Sequence, residues 1–205
     1  MIKQILYSGA LIVSMLAPSF PRKPHTNLEN ICRLDKEVRM KIFEEFNFIP
    51  KQDNQKKPYH TNKNNKAMPL PEGTYNIASG YGRRTNPMGG TEKKSKDKEF
   101  HTGVDLAVSS KTPVTAVADG FISDYGCENG AGRYIKIDHG DFISLYAHLS
   151  KIVPAKRFYN GFVRKGEIIG YSGNSGRSTG PHLHYAEQKQ GQWVKPELPL
   201  TNYIR

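Results

Sequence analysis

The stretch GNSGRSTGPHLHYAEQK, residues 173–189, joins three glycines and a proline to an alternating run, His182-Leu183-His184-Tyr185. Alternate residues of a strand share a face, so the two imidazoles project together while Leu183 and Tyr185 face the opposite side. Glycines 173, 176 and 180 suit tight turns, and equally allow backbone to approach an extended peptide closely. The same texture extends upstream to residue 71. Short apolar runs at 115–117, 134–137, 142–148, 162–163 and 168–171 are separated by glycine-containing turns such as Asp119-Gly120 and His139-Gly140. Runs of this length at a spacing of about ten residues, with turn signals between them, predict an all-β domain.

Upstream of residue 71 the character changes. Eighteen of the nineteen glycines lie after residue 72. Within 27–48, Leu34, Val38, Ile42 and Phe46 recur every fourth residue, which predicts a short amphipathic helix. It reads as a small packing helix, with a plug over an active site as the sharper alternative. Residues 51–68 are polar and basic and read as a linker. At the start, Lys3 precedes an uncharged, mostly apolar run over 5–16. That run is shorter than the roughly 20 residues a membrane span needs. Its length is that of a signal-peptide core. The expected organisation is a signal peptide or N-terminal anchor over 1–20, a helical segment and basic linker over 21–70, the β domain over 71–198 and a tail over 199–205. Export to the periplasm, cell envelope or medium follows, with membrane association through the N-terminus.

The 205-residue chain has a formal net charge of +11 and a pI of about 9.6. The charge is spread out: residues 1–71 carry 12 basic and 6 acidic side chains, and residues 72–205 carry 18 and 13. This balance favours attraction to polyanions, with nucleic acid, anionic lipid and acidic wall polymers as the candidates. No nucleic-acid recognition motif accompanies it, so nucleic acid is not an expected partner. Cys32 and Cys127 belong to no CxxC pair, which excludes a cysteine-based zinc knot. They allow one disulfide or two free thiols.

Four of the seven histidines fall in three motifs: His101-Thr-Gly-Val-Asp105, Tyr146-Ala-His148-Leu149 and His182-Leu-His184. Imidazole and carboxylate are both good zinc ligands, and a catalytic zinc takes three protein ligands and leaves one position open. His101, Asp105 and one histidine of the HxH pair supply three. The other, with His148, is left for proton transfer and for stabilising developing negative charge. Strict alternation over 142–148 places His148 on the face of Phe142, Ser144 and Tyr146. His139, in an Asp-His-Gly turn, reads as structural, and His25 and His60 as solvated loop residues.

In order, Ser79-Gly-Tyr-Gly-Arg83, the HxxxD, the Tyr-Ala-His-Leu-Ser150 segment and Gly173 to Tyr185 resemble the lysostaphin-type, or LytM-domain, zinc metallopeptidases of peptidase family M23. The resemblance covers about residues 72–195. It implies a compact antiparallel β-sheet domain with a catalytic groove. It also implies one Zn2+ bound by His101, Asp105 and His184, with His182 and His148 as the catalytic pair. The implied activity is hydrolysis of peptide cross-links in bacterial peptidoglycan by an exported endopeptidase. The alternative is a non-cleaving peptidoglycan-binding regulator of wall hydrolases. Asn86, before Pro87, reads as a turn residue, with a fourth, inhibitory metal ligand as the sharper alternative.

Overall fold

The computed structural model describes residues 65–88, 98–153 and 161–199. The export signal, the helix over 27–48, Cys32, most of the linker and nearly all of the tail lie outside them. Every regular element among the described residues is a strand: β1 (Tyr75–Ser79), β2 (Gly82–Thr85), β3 (Lys98–His101), β4 (Gly103–Val108), β5 (Pro113–Thr115), β6 (Gly120–Glu128) and β7 (Gly132–Asp138). There follow β8 (Ile143–Leu149), β9 (Lys151–Ile152), β10 (Phe162–Val163), β11 (Ile168–Tyr171), β12 (His182–Lys189) and β13 (Gln192–Val194).

The main sheet runs β1-β4-β12-β8-β7-β6-β10, all neighbours antiparallel, with β13 paired to β12. A three-stranded sheet, β5-β11-β9, packs beside it, and β2 and β3 form a separate hairpin. Alternation decides the faces. Val104, Leu106, Leu183, Tyr185, Tyr146, Ile135 and Ile137 point inward and meet Val114 and Ile169 of the small sheet in one buried core. The opposite face carries a smaller apolar cluster of Tyr134, Leu145, Ala147 and Ala186, and beside it the polar residues of the site.

Two buried polar features hold the core side. His139 lies at the turn between β7 and β8, fully buried and stacked on Phe142. Its Nδ1–H donates to the Asp119 carbonyl (2.7 Å), and its Nε2 lies 2.8 Å from Ser144 Oγ. The second is a strap. The sequence reading ends the linker at residue 70, yet residues 65–70 pack as part of the domain. Leu70 is 3% exposed and joins the core with Met68. The Ala67 N–H donates to the Val117 carbonyl (2.8 Å), and the Thr115 N–H to the Pro69 carbonyl (2.9 Å). The linker reading misses this because Lys66 and its neighbours look solvated in sequence. Lys66 is instead buried against Glu187, with Nζ 2.7 Å from both carboxylate oxygens and side chains 4% and 0% exposed. Tyr185 Oη donates to Glu187 Oε1 (2.9 Å), and the ammonium lies 4.0 Å from the Phe142 ring centroid.

Removing one partner of a buried ion pair strands the other charge, so Lys66→Ala should destabilise the fold by about 3–5 kcal/mol. Denaturant unfolding reads this, and adding Glu187→Gln should recover part of the loss. An unchanged midpoint would show that the pair is not holding the strap. Burial pushes His139 down to about 4, although the Asp119 carbonyl opposes this. An unfolded histidine titrates near 6.5. Between those values the unfolded chain binds the extra proton, so stability should fall as pH drops from about 6.5 to about 4. The melting temperature of His139→Gln should decline less steeply over that interval than that of the parent chain. Equal slopes would remove the assignment.

Candidate active site

Asp105 in β4 and His184 in β12 are cross-strand partners. Directly opposed residues of an antiparallel pair share a face, so one register brings both side chains together. His184 Nδ1 lies 2.8 Å from Asp105 Oδ1. His101, at the end of β3, comes over them with Nε2 3.1 Å from Asp105 Oδ1 and 3.0 Å from His184 Nδ1.

These three atoms make a near-equilateral triangle that hydrogen bonding alone does not explain. His101 Nδ1 lies 2.7 Å from the Gly80 carbonyl. A carbonyl only accepts, so Nδ1 carries a hydrogen, and in the neutral ring Nε2 presents a bare lone pair. In that form the His101–Asp105 edge sets two acceptors against each other. A cation relieves this. Tetrahedral zinc with bonds of about 2.0–2.1 Å separates its ligand atoms by about 3.3 Å, close to the observed triangle. Among the described residues, His101, Asp105 and His184 are the group able to hold a metal ion. The anchoring of a ligand imidazole through its second nitrogen is typical of metal sites.

Asp105 has a partner for its other oxygen as well. Arg84 Nη1 donates to Oδ2 at 2.6 Å and to Ser79 Oγ at 2.9 Å, while Nε donates to Glu99 Oε1 at 2.9 Å. Burial alone would raise the Asp105 carboxyl. Close contact with the His101 and His184 imidazoles, with Arg84, overcomes it and holds the group well below the usual carboxylate range. Burial pushes His184 down, against the pull of Asp105.

His148 and His182 flank the triangle, their ring centroids 4.6 Å apart. His182 Nδ1–H donates to the Gly180 carbonyl (2.8 Å), and its Nε2 lies 3.6 Å from Asp105 Oδ1. His148 reaches this face by a route that alternation does not foresee. Leu149 pairs with Arg133 and Tyr146 with Ile135, so Ala147 and His148 together stand opposite Tyr134. This is a β-bulge. His148 takes φ = 59°, a conformation that non-glycine residues adopt rarely. The expected sharing of a face with Ser144 and Tyr146 is thereby corrected. Those two remain buried on the core side, and the bulge turns His148 to the groove.

Ser175 holds the turned ring. Its carbonyl accepts from His148 Nδ1–H (2.8 Å), its Oγ donates to the Leu149 carbonyl (2.8 Å) and accepts from the Arg133 N–H (2.9 Å). The turn bearing Ser175 can come this close because Gly132 and Gly176 meet in left-handed conformations. A Cβ on Gly176 would stand 2.2 Å from Gly132 N. Burial, together with repulsion from His182 and His184, pushes His148 down to about 4 against the Ser175 carbonyl. The ring is neutral near pH 7, with Nε2 unprotonated.

The whole arrangement lies in an open groove of about 540 Å³, lined also by Arg84, Glu99 and Arg177. Asn86 does not join the triangle. Its Oδ1 accepts from the Met88 N–H (2.9 Å) and from Arg177 Nη2 (2.8 Å), a turn-forming role. The idea that Asn86 is a fourth ligand thus finds no support in its contacts. Arg84, Ser175 and Arg177 were not singled out from sequence. For Arg84 the signal was available, because alternation along β2 turns Arg84 inward and Arg83 outward. Cys127 is a half-buried free thiol.

Residues 99–196 match the profile of peptidase family M23. The chain is 44% identical over 121 residues to the DD-carboxypeptidase/endopeptidase Mpg of Neisseria meningitidis serogroup B, covering 58% of this chain and 26% of that protein. It is 39% identical over 108 residues to the peptidoglycan DD-endopeptidase ShyA of Vibrio cholerae, covering 51% and 24%. The chain thus spans about a quarter of the length of these curated relatives. The crystal structure of a zinc-containing peptidase from Vibrio cholerae superposes with a TM-score of 0.52 at 30% identity, over 64% of this chain and 40% of that one.

The geometry predicts one tightly held divalent transition-metal ion per chain. Asp105→Ala and His184→Ala should abolish it, and Arg84→Ala should weaken it by about 10–100-fold through loss of carboxylate orientation. His148→Ala should leave it in place. Metal content after dialysis, with a competition titration for affinity, reads all four. Equal loss in His148→Ala would show that the division between ligands and flanking rings is drawn wrongly.

Proposed function

The chain carries a peptidase family M23 domain, and we propose that it is a zinc-dependent endopeptidase that hydrolyses peptide cross-links of bacterial peptidoglycan. The convergence of His101 Nε2, Asp105 Oδ1 and His184 Nδ1 beside two anchored imidazoles carries this reading. Two imidazoles and one carboxylate are a donor set that suits catalytic zinc. Zinc held there supplies Lewis acidity to the scissile carbonyl and to the attacking water.

The chain's own groups supply the rest. His148 is neutral, its Nδ1–H fixed on Ser175, so its Nε2 is the base that takes the proton of the attacking water. His182, fixed through Nδ1 on Gly180, directs its Nε2 side toward Asp105, and in its imidazolium form the Nε2–H donates to the developing oxyanion. A non-cleaving regulator would have no use for two anchored imidazoles beside a full ligand set. The substrate places the protein in the cell envelope or outside the cell.

Digestion of purified peptidoglycan tests this. The full chain should release cross-linked muropeptides as uncross-linked products. A chelator should stop the reaction and zinc should restore it. His148→Ala and His182→Ala should each lower turnover by about 10²–10⁴-fold while retaining metal. If the zinc-loaded chain bound the wall and left every cross-link intact, the endopeptidase assignment would fail. The pH profile adds a second check. A base must be unprotonated, and His148 titrates near 4 rather than near 6.5. Activity should therefore hold its plateau down to about pH 5.5, where an ordinary histidine base would already be about nine-tenths protonated. A limb centred on 6.5 would exclude His148 as the base.

A further inference from the structure

A chain of alternating charges leads out of the ligand set. Asp105 Oδ2 is held by Arg84, and Arg84 Nε by Glu99 Oε1. Glu99 Oε2 then lies 3.7 Å from Arg177 Nη2. Arg84 donates to three acceptors, two of them carboxylates. Arg177 has fewer partners. Its one hydrogen bond from the guanidinium among the described residues goes to the neutral Asn86 Oδ1 (2.8 Å). The Glu99 contact is beyond direct hydrogen-bond length, and Glu99 already serves Arg84. A guanidinium has five N–H donors, so most of this one's remain available to the groove. The side chain is 50% exposed and lines the same groove as His101, His148 and His182.

The cation is also held in place. The Arg177 N–H donates to the Gly130 carbonyl (2.9 Å), next to the close meeting of Gly176 and Gly132. Asn86 holds the far end of the side chain. A planar fork fixed at both ends, with free donors over a peptide groove, matches a carboxylate in geometry and charge. We infer that Arg177 is a specificity-determining residue that binds a substrate carboxylate. Peptides with a free carboxylate beside the scissile bond are then cleaved in preference to neutral or amidated ones. The inference rests on the endopeptidase reading and narrows its substrate class.

The test uses the full zinc-loaded chain and two cross-linked peptides that differ only in carrying a carboxylate or a carboxamide next to the scissile bond. The parent chain should favour the carboxylate form by about tenfold or more in kcat/KM, mainly through KM, with the preference shrinking at high salt. In Arg177→Gln the ratio should collapse towards one, and Arg177→Lys should restore part of it. A ratio near one in the parent chain, or a ratio that survives in Arg177→Gln, overturns the inference and leaves the endopeptidase reading intact. Failure to cleave peptidoglycan as well as both peptides removes the endopeptidase reading, and this inference with it.

Discussion

Asp105 and His184 stand opposite each other in neighbouring antiparallel strands, and the site inherits its geometry from that register. Leu106 and Leu183, also paired, lie on the core face with no exposed surface. A slip of one residue would carry both leucines to the groove and Asp105 and His184 into the core. The hydrophobic pattern that stabilises the sheet therefore also fixes this pair. The geometry of the site is a consequence of core packing rather than a separate loop arrangement. His101 and the Arg84 guanidinium are added from the separate β2–β3 hairpin.

The neighbouring imidazole obeys a different logic. His148 sits in a strand whose alternation would bury it beside Tyr146. One extra residue in β8 reverses its direction, and φ = 59° records the local cost. That conformation persists because its surroundings determine it twice. The His148 N–H donates to the Ala131 carbonyl (2.8 Å), and the ring donates to Ser175. Both contacts come from turns that meet through Gly132 and Gly176. The two glycines thus set the position of an imidazole that neither of them touches.

These two cases mark how far the sequence could be read. The HxxxD and HxH motifs, glycine-bounded runs and the match to known peptidase motifs were enough for an antiparallel β domain and for the five residues that the fold brings together in one groove. Residues that alternate strictly, such as His184 and Leu183, were legible because period two needs no further information. The direction of His148 was not, because a bulge depends on the partner strand and leaves no mark in its own segment. Ser175 acts through a carbonyl, which every residue has, so composition cannot single it out. Lys66 was misplaced for a related reason: a lysine among asparagines looks solvated unless its buried carboxylate, 121 residues away, is known.

The strap over 65–70 sets a boundary for maturation of the chain. Any protease that trims the residues before the domain must cut ahead of Lys66. A cut beyond it would leave Glu187 as a lone buried anion on β12, the strand that carries His182 and His184. Loss of the upstream residues and loss of the domain's fold are thus separated by only a few peptide bonds, and a recombinant fragment begun at residue 71 would carry that defect from the outset.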